Sequence, residues 1–514
     1  MGSPVKYLNF TTIVQKNGNN SSQLHAGDIL ENDVGDEALT RKIHLVNDAN
    51  DEIGWTTFHW KLFFLNGMGY AVDSGLTFVQ GVTASQVFLE LGKPHYYSNA
   101  GVVAQNVGLT IGALFWGLTA DIIGRKLSFN LTLWITSLAM VVTGASPNFP
   151  FLCSFLAIST FASGGNLILD PTVLLEFLPG NKQWVVTALA GWWGLGQATV
   201  CFIAWGFLTQ DRLNCSSEDD HCGWSNNACW RYVMFTAGSV VFAISILRLT
   251  VVRLVETPKY LLNKGRDAEV VKYYQDAARK YNKECSLTLE KLQACGKIDL
   301  KSPDQTSLLS ETIDHVKGLF VSRKMAMTTI LVWISWAIMG LAYPLFYVFL
   351  PAYLSTRIPD RATSSYETYR DTTLTTICGI PGALLAGYLA STKLGRKYTM
   401  LIGAFCGMAL FFGLTGIRTY EQNVGLSCTI SFLINIYYAT LYAYTAEVLP
   451  SAHRATGSGI AVSYNRIMGI VSAFVASSGN TATAVPLYVC AALFGGLGLI
   501  AAVFPFEPNG QRSS

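Results

Sequence analysis

Apolar stretches of about 18 residues or more, long enough to cross a bilayer as helices, recur twelve times along the chain. No other feature constrains its folding as much. To within about four residues at each end, they are 60–84, 100–120, 127–146, 149–172, 184–208, 232–254, 326–352, 371–391, 398–417, 424–446, 456–477 and 484–505. Backbone groups inside hydrocarbon must be satisfied within the segment, so such stretches read as helices. Composition agrees. Charged residues make up 13% of the 514, about half the soluble share of roughly 25%, and mean hydropathy is +0.33. So few charges cannot cover a water-soluble surface, and the 51% hydrophobic content excludes disorder. A net charge of +3 leaves no electrostatic footprint for nucleic acid. The expectation is an all-α polytopic membrane protein.

Charge sets the orientation. The polar gap 255–324 holds thirteen Lys/Arg, and the other even-numbered connections are basic too: Gly124-Arg125-Lys126, Asn181-Lys182, Gly395-Arg396-Lys397 and His453-Arg454. The odd-numbered connections are more acidic, as in Ser217-Glu218-Asp219-Asp220. Positive charge stays on the cytosolic side. The expected parts are therefore a cytosolic tail over 1–57 without a signal peptide, a bundle over 58–254, a cytosolic loop over 255–324, a bundle over 325–506 and a cytosolic tail over 507–514. In the loop, 269–280 has basic and apolar faces and suits a helix lying on the inner leaflet. The connection 209–231 then faces outside, where Asn214-Cys215-Ser216 is a glycosylation acceptor. Asn9 and Asn19 match the same pattern on the wrong side. An oxidising compartment would allow one disulfide among Cys215, Cys222 and Cys229, leaving one thiol. No metal or cofactor motif accompanies them.

The halves repeat. Gly117 and Asp121, followed by Gly124-Arg125-Lys126, return as Gly387 and Ser391, followed by Gly395-Arg396-Lys397. Glu176-Phe177-Leu178-Pro179 returns as Glu447-Val448-Leu449-Pro450, and the offsets are 270, 271 and 271 residues. A duplicated six-helix unit is the simplest account. Glycine at 117 lets a neighbouring helix approach closely. Asp121 can accept hydrogen bonds from a helix N-terminus or pair with a base across the bundle, a latch that breaks when the halves rock. A plain topology anchor would explain Arg125 and Lys126 but not Asp121, because acids contribute little to topology.

These segments, with Glu256-Thr257-Pro258-Lys259-Tyr260-Leu261 and the run from Tyr444 through Pro450 to Arg454-Ala455-Thr456-Gly457, resemble the signature of the major facilitator superfamily. Glu176 to Gly180 and Asn465-Arg466-Ile467-Met468-Gly469 resemble its synaptic-vesicle-protein-like and organic-ion branch, fungal members above all. The resemblance covers nearly the whole chain. It implies twelve transmembrane helices in two pseudo-symmetric six-helix bundles, a central cavity and alternating access. Two departures stand out. Ser391 replaces Asp121 in the second copy, which puts a second latch in doubt, and the fourth span lacks the arginine that sugar porters carry before Gly164-Gly165.

Ionisable residues in mid-span cost roughly 2.5–3.5 kcal/mol each on insertion scales, which singles out Asp73, Asp170 and Arg466, with Glu176 at the membrane edge. Asp73 reads as a proton-coupling or substrate-contacting carboxylate, or as a buried acceptor bracing the first span. Arg466 cannot deprotonate, so it meets an anionic substrate or an internal acid such as Asp73 or Asp170. The resemblance implies the former, since related organic-anion carriers have an arginine there. Glu176 and Glu447 suit pairing with Lys182, Arg454 or the Gly-Arg-Lys loops. Tyr343 and Tyr347 share a helix face and, with Tyr442, suit a wall for a solute with a flat body; the alternative for each is packing. Pro344 and Pro351 break or kink the seventh span.

The expected function is a secondary active transporter of a small organic anion or zwitterion, such as a carboxylate or secondary metabolite. Protons are the expected coupling ion, and the expected setting is a monomer in the plasma membrane. The alternatives are a sugar or polyol porter and a transporter-like solute receptor. No Gly-x-x-x-x-Gly-Lys-Ser/Thr motif is present, against ATP-driven pumping. The dispersed histidines argue against a membrane enzyme.

Overall fold

The computed structural model describes residues 37–508, apart from 93–95, 98, 216–220, 252–255, 297–307, 358–363 and 479–482. The sequons at Asn9 and Asn19, most of both tails, and the side chains of Tyr347 and Pro351 lie outside the described residues. The regular elements among the described residues are helical. The first half contains α1 (Glu37–Ile53), α2 (Thr57–Val87), α3 (Ala100–Ile123), α4 (Arg125–Gly144), α5 (Phe149–Ser163) with α6 (Asn166–Phe177), α7 (Trp184–Leu189) with α8 (Gly191–Leu208), and α9 (Cys229–Val251). Short helices α10 (Pro258–Asn263), α11 (Asp267–Tyr281), α12 (Leu289–Ala294) and α13 (Leu308–Lys317) follow. The second half contains α14 (Arg323–Arg357), α15 (Ser365–Ser391), α16 (Gly395–Leu414), α17 (Tyr420–Val448), α18 (Arg454–Ser478) and α19 (Val485–Val503).

Among the described residues, eleven helical spans are long and apolar enough to cross a membrane. The remaining one, α2, is 31 residues long but carries Asn66, Asp73, Ser74 and Gln80, all buried, so its polarity serves the protein interior. In the first half α2 packs on α8, α3 on α5 and α4 on α9; in the second α14 packs on α18, α15 on α17 and α16 on α19. The same pairing order in both halves is the pseudo-twofold relation expected of a duplication. The halves meet along α3 with α18 and along α15 with α8, again a symmetric pair. At the first crossing a Cβ on Gly117 would lie 2.8 Å from the Ala455 carbonyl oxygen and 3.1 Å from Gly459 Cα. Only glycine allows that approach.

Two expectations need correction. Helix α14 runs unbroken through Pro344 and Pro351, so neither proline breaks the seventh span. Helix α11 does not present its apolar face to lipid. Val270, Val271 and Tyr274 are buried against Leu39, Ile43 and Val46 of α1, together with Leu261 and Leu262 of α10. The segment that reads as a polar tail thus supplies the apolar stripe that the loop helix needs. Lys42 pairs with Asp267 at 2.6 Å, and the Tyr274 hydroxyl donates to Asn50 Oδ1 at 2.8 Å. This layer covers the membrane end that carries the Gly-Arg-Lys turns, called the basic face below. The opposite end carries a Cys215–Cys222 disulfide and leaves Cys229 as a buried thiol.

Candidate functional site

Helices α2 and α6 run antiparallel in one register. Ser163, at the end of α5, meets Asp73; Asp170 meets Asn66; and the Phe177 carbonyl meets His59. Asp73 is fully buried near the middle of α2 and accepts from the Ser163 hydroxyl at 3.2 Å. Its other oxygen lies 3.5 Å from Arg466 Nη2 on α18, an ion pair across the two halves. That pair makes no hydrogen bond: Asp73 Oδ2 and Arg466 Nε and Nη2 are buried without hydrogen-bond partners. Leaving such atoms unmade costs about 1–3 kcal/mol each, so the site has capacity for a ligand or water to use.

Aromatic rings wall this pair. Tyr442 lies 4.5 Å from Trp336, 5.0 Å from Tyr438, 5.8 Å from Tyr70 and 5.9 Å from Trp193 between ring centroids. Tyr343 lies 6.0 Å from Tyr438. The Tyr70 hydroxyl is buried without a hydrogen-bond partner, and the Tyr442 hydroxyl is buried beside that of Tyr438. Trp336 is fixed, its indole N–H donating to Thr445 Oγ1 at 2.9 Å and its carbonyl accepting from Asn465 at 3.1 Å. Residues of both halves thus bring one cation, one carboxylate and spare hydroxyls to an apolar, flat-walled spot.

A second buried pair lies one helical turn along α2 toward the basic face. Asp170 Oδ1 pairs with Arg248 Nη2 on α9. Arg248 Nη1 also donates to the Phe129 carbonyl at 2.8 Å, and the guanidinium stands 3.4 Å over the Phe129 ring. Asp170 Oδ2 packs where a Cβ on Gly69 would sit, so the bare backbone at 69 makes room for the carboxylate.

At the basic face, Arg125 pairs with Glu176 and lies 3.4 Å from Asp121, and it donates to the Ser451 carbonyl of the other half at 2.9 Å. Asp121 Oδ2 accepts from the backbone N–H and hydroxyl of Thr456 at 2.9 and 3.0 Å, capping the first turn of α18. Arg454 reaches Glu176 at 3.6 Å. Gly124 has φ of 115° and turns the chain so that Glu256 can accept from Arg125 N at 2.9 Å. In the second copy Glu507 plays that part for Arg396 N and Lys397 N at 2.9 and 3.0 Å, and Arg396 pairs with Glu447 at 2.9 Å. Ser391 bonds its own helix at the Tyr388 carbonyl, so it makes no counterpart of the Asp121 cap. Gly395 has φ of 66°, matching Gly124 in its handedness. Beside this network, His453 and His315 of α13 meet Nδ1 to Nδ1 at 2.8 Å, one ring donating and the other accepting. Burial, and secondarily His315, push His453 down to about 4.

The sequence-derived residues therefore fall into three groups. Asp73, Arg466, Tyr343 and Tyr442 converge at the midplane. Asp121, Arg125, Glu176 and Arg454 join one network, and Arg396 and Glu447 a second. Lys126 is exposed and contributes only its backbone N–H, as Lys397 does. Asn214 lies apart, its amide donating to the Phe207 and Gln210 carbonyls at 3.4 and 3.0 Å. Sequence reasoning missed Arg248, although a cation inside a span was the very signal that flagged Arg466. It also missed Ser163, Tyr70 and Glu507, for which no local pattern stands out.

The Major Facilitator Superfamily family model matches residues 62–473. The chain is 36% identical to the major facilitator-type transporter hxnZ of Emericella nidulans, over 93% of this chain and 89% of that protein. It is 35% identical to the MFS siderochrome iron transporter 1 of Ceriporiopsis subvermispora, over 95% of this chain and 94% of that one. Its fold is like that of the proton:xylose symporter XylE bound to 6-bromo-6-deoxy-D-glucose, with a TM-score of 0.61 at 16% identity, over 89% of this chain and 98% of that one. Twelve spans in two pseudo-symmetric halves, a shared midplane site and these matches lead to one assignment: the chain belongs to the Major Facilitator Superfamily, as a transporter of small solutes similar to fungal members.

Proposed function

We propose that this chain is a proton-coupled carrier of a small organic anion with a flat body. One observation supports this most: a buried Asp73–Arg466 pair bridges the halves without a hydrogen bond, inside aromatic walls. A carboxylate arriving at Arg466 competes for the guanidinium. Asp73, deprived of its counter-ion, then binds a proton, so solute and proton load together. The Tyr70 and Tyr442 hydroxyls supply donors, and the rings exclude water. The Asp121–Thr456, Arg125–Ser451 and Arg454–Glu176 contacts act as the latch closing the basic face, and they break when the halves rock. The concentration of Lys and Arg at that face supports a cytosolic side for it and for both termini. The Cys215–Cys222 disulfide suits an oxidising exterior and the plasma membrane.

The test is uptake into proteoliposomes, comparing benzoate with its neutral isostere benzamide, with and without an inward proton gradient. Asp73→Asn is expected to abolish gradient-driven accumulation while sparing exchange. Arg466→Ala is expected to weaken binding of the anion far more than that of the amide. Full accumulation by Asp73→Asn removes the coupling role, and equal losses for both solutes make Arg466 an internal counter-ion only.

A further inference from the structure

The seam between α2 and α6 holds more unsatisfied polar capacity than one coupling site requires. Along the face of α2 toward the basic end lie Asp73, Tyr70, the bare Gly69 and Asn66, at helical spacing. Asp73 Oδ2, Tyr70 Oη, Asp170 Oδ2 and Asn66 Oδ1 are all buried and make no hydrogen bond. The charged and titratable groups facing Asp170 are Arg248 from α9 and, from α2, Tyr70 and Asp73; those facing Asp73 from the other half are Arg466 and the Tyr438 and Tyr442 hydroxyls. Arg248 is also held by neutral groups: the Phe129 carbonyl at 2.8 Å, Asn166 Oδ1 at 3.5 Å and the Phe129 ring. A guanidinium braced in this way stays in place when its acid partner loses charge. The cation then faces no full counter-charge, a cost that these dipoles and the ring face reduce.

We propose that Asp170 is a second proton-binding site, which exchanges a proton with Asp73 along this seam. The step balances. Asp73 releases its proton and returns as a carboxylate to Arg466, Asp170 gains that proton and becomes neutral, and Arg248 keeps its neutral ligands. The seam ends blind in this conformation. Asn66 is seven residues, about 10 Å of helix, from His59 at the basic face, and Leu62 and Leu65 between them are buried and apolar. Opening the basic face would wet that gap and release the proton there, on the α2–α6 side of the solute's own route.

The inference rests on the proton-coupled reading, and the test separates the two. The probe is the proton itself: infrared spectra of the full-length protein in nanodiscs, taken from neutral to mildly acid pH, follow the carbonyl stretch of protonated carboxylic acids. Wild type minus Asp170→Asn is expected to show one titrating band, and wild type minus Asp73→Asn a second. Gly69→Ala, whose methyl displaces the Asp170 carboxylate, is expected to move the Asp170 band and leave the Asp73 band in place. A purely structural Asp170 would give no titrating band. The double variant Asp170→Asn/Arg248→Gln, which leaves no orphaned guanidinium, covers the case in which the single variant misfolds. An Asp73 band with no Asp170 band overturns the second site and leaves coupling at Asp73 intact. An Asp170 band with no Asp73 band overturns the coupling reading and, with it, the exchange between the two carboxylates.

Discussion

Asp121 joins the halves through two hydrogen bonds to one residue, which makes its contribution measurable. Its Oδ2 accepts from Thr456 N at 2.9 Å and Thr456 Oγ1 at 3.0 Å, at the positive end of α18. Asp121→Asn keeps the shape and an acceptor oxygen but removes the charge. Hydrogen bonds to charged groups contribute about 1.5–3 kcal/mol and neutral ones about 0.5–1.5. Two bonds thus lose about 2 kcal/mol together, a factor of about 30 in the closed-to-open equilibrium. Hydrogen exchange read by mass spectrometry on the peptide covering Ser451 to Ile460 reports that equilibrium, because the Thr456 amide is freed only when the contact opens. About thirty-fold faster exchange in Asp121→Asn, with the periphery of the bundles unchanged, is expected. Unchanged exchange would make Asp121 a passive feature of the turn and refute the latch.

Two further outcomes follow from the same face. Gly117→Val places a methyl-bearing carbon 2.8 Å from the Ala455 carbonyl and 3.1 Å from Gly459 Cα; overpacking of that kind costs about 1–3 kcal/mol, so exchange in the same peptide rises roughly five- to a hundred-fold, and a wild-type rate would contradict the close crossing. His453 binds its proton only near about 4 in the fold against 6.5 in the unfolded chain. The unfolded state is therefore protonated first, and the stability His453 contributes is full above 6.5 and lost as pH falls toward about 4. Melting temperature followed across that window is expected to fall less in His453→Gln than in wild type, and an identical slope would remove His453 as the cause.

The spans, the repeat and the turns at the basic face were legible because the bilayer forces them. Backbone satisfaction demands long apolar helices, and cations collect at one interface. The midplane site was half legible. Asp73 and Arg466 stood out as charges inside spans, and their pairing was one of the alternatives open for Arg466; the choice of Asp73 over Asp170 joins residues 393 positions apart, which no periodicity encodes. Arg248 carried the same signal, a cation inside a span, and lies close to the basic end of α9, where a cation also reads as an interface anchor; its acid is Asp170 on α6. Helix α1 was hidden by its polarity, since Lys42, His44, Asn47 and Asn50 mask the stripe Leu39, Ile43, Val46 and Ile53. That stripe makes sense only with α10 and α11 beside it. Of the two readings open for Pro344 and Pro351, a break is excluded by the continuous α14, since a long membrane helix tolerates proline where neighbouring helices hold it.

Alternating access is tested most directly by two spin-label distances on one molecule type. One pair, at Lys126 and Lys393, spans the halves at the basic face; the other, at Gln210 and Arg418, spans them at the disulfide face, and all four side chains are exposed. Adding benzoate at mildly acid pH is expected to change the two distances in opposite directions, one face opening as the other closes about the Asp73–Arg466 site. Distances that lengthen together, shorten together or stay fixed would contradict rocking of the two halves about that site.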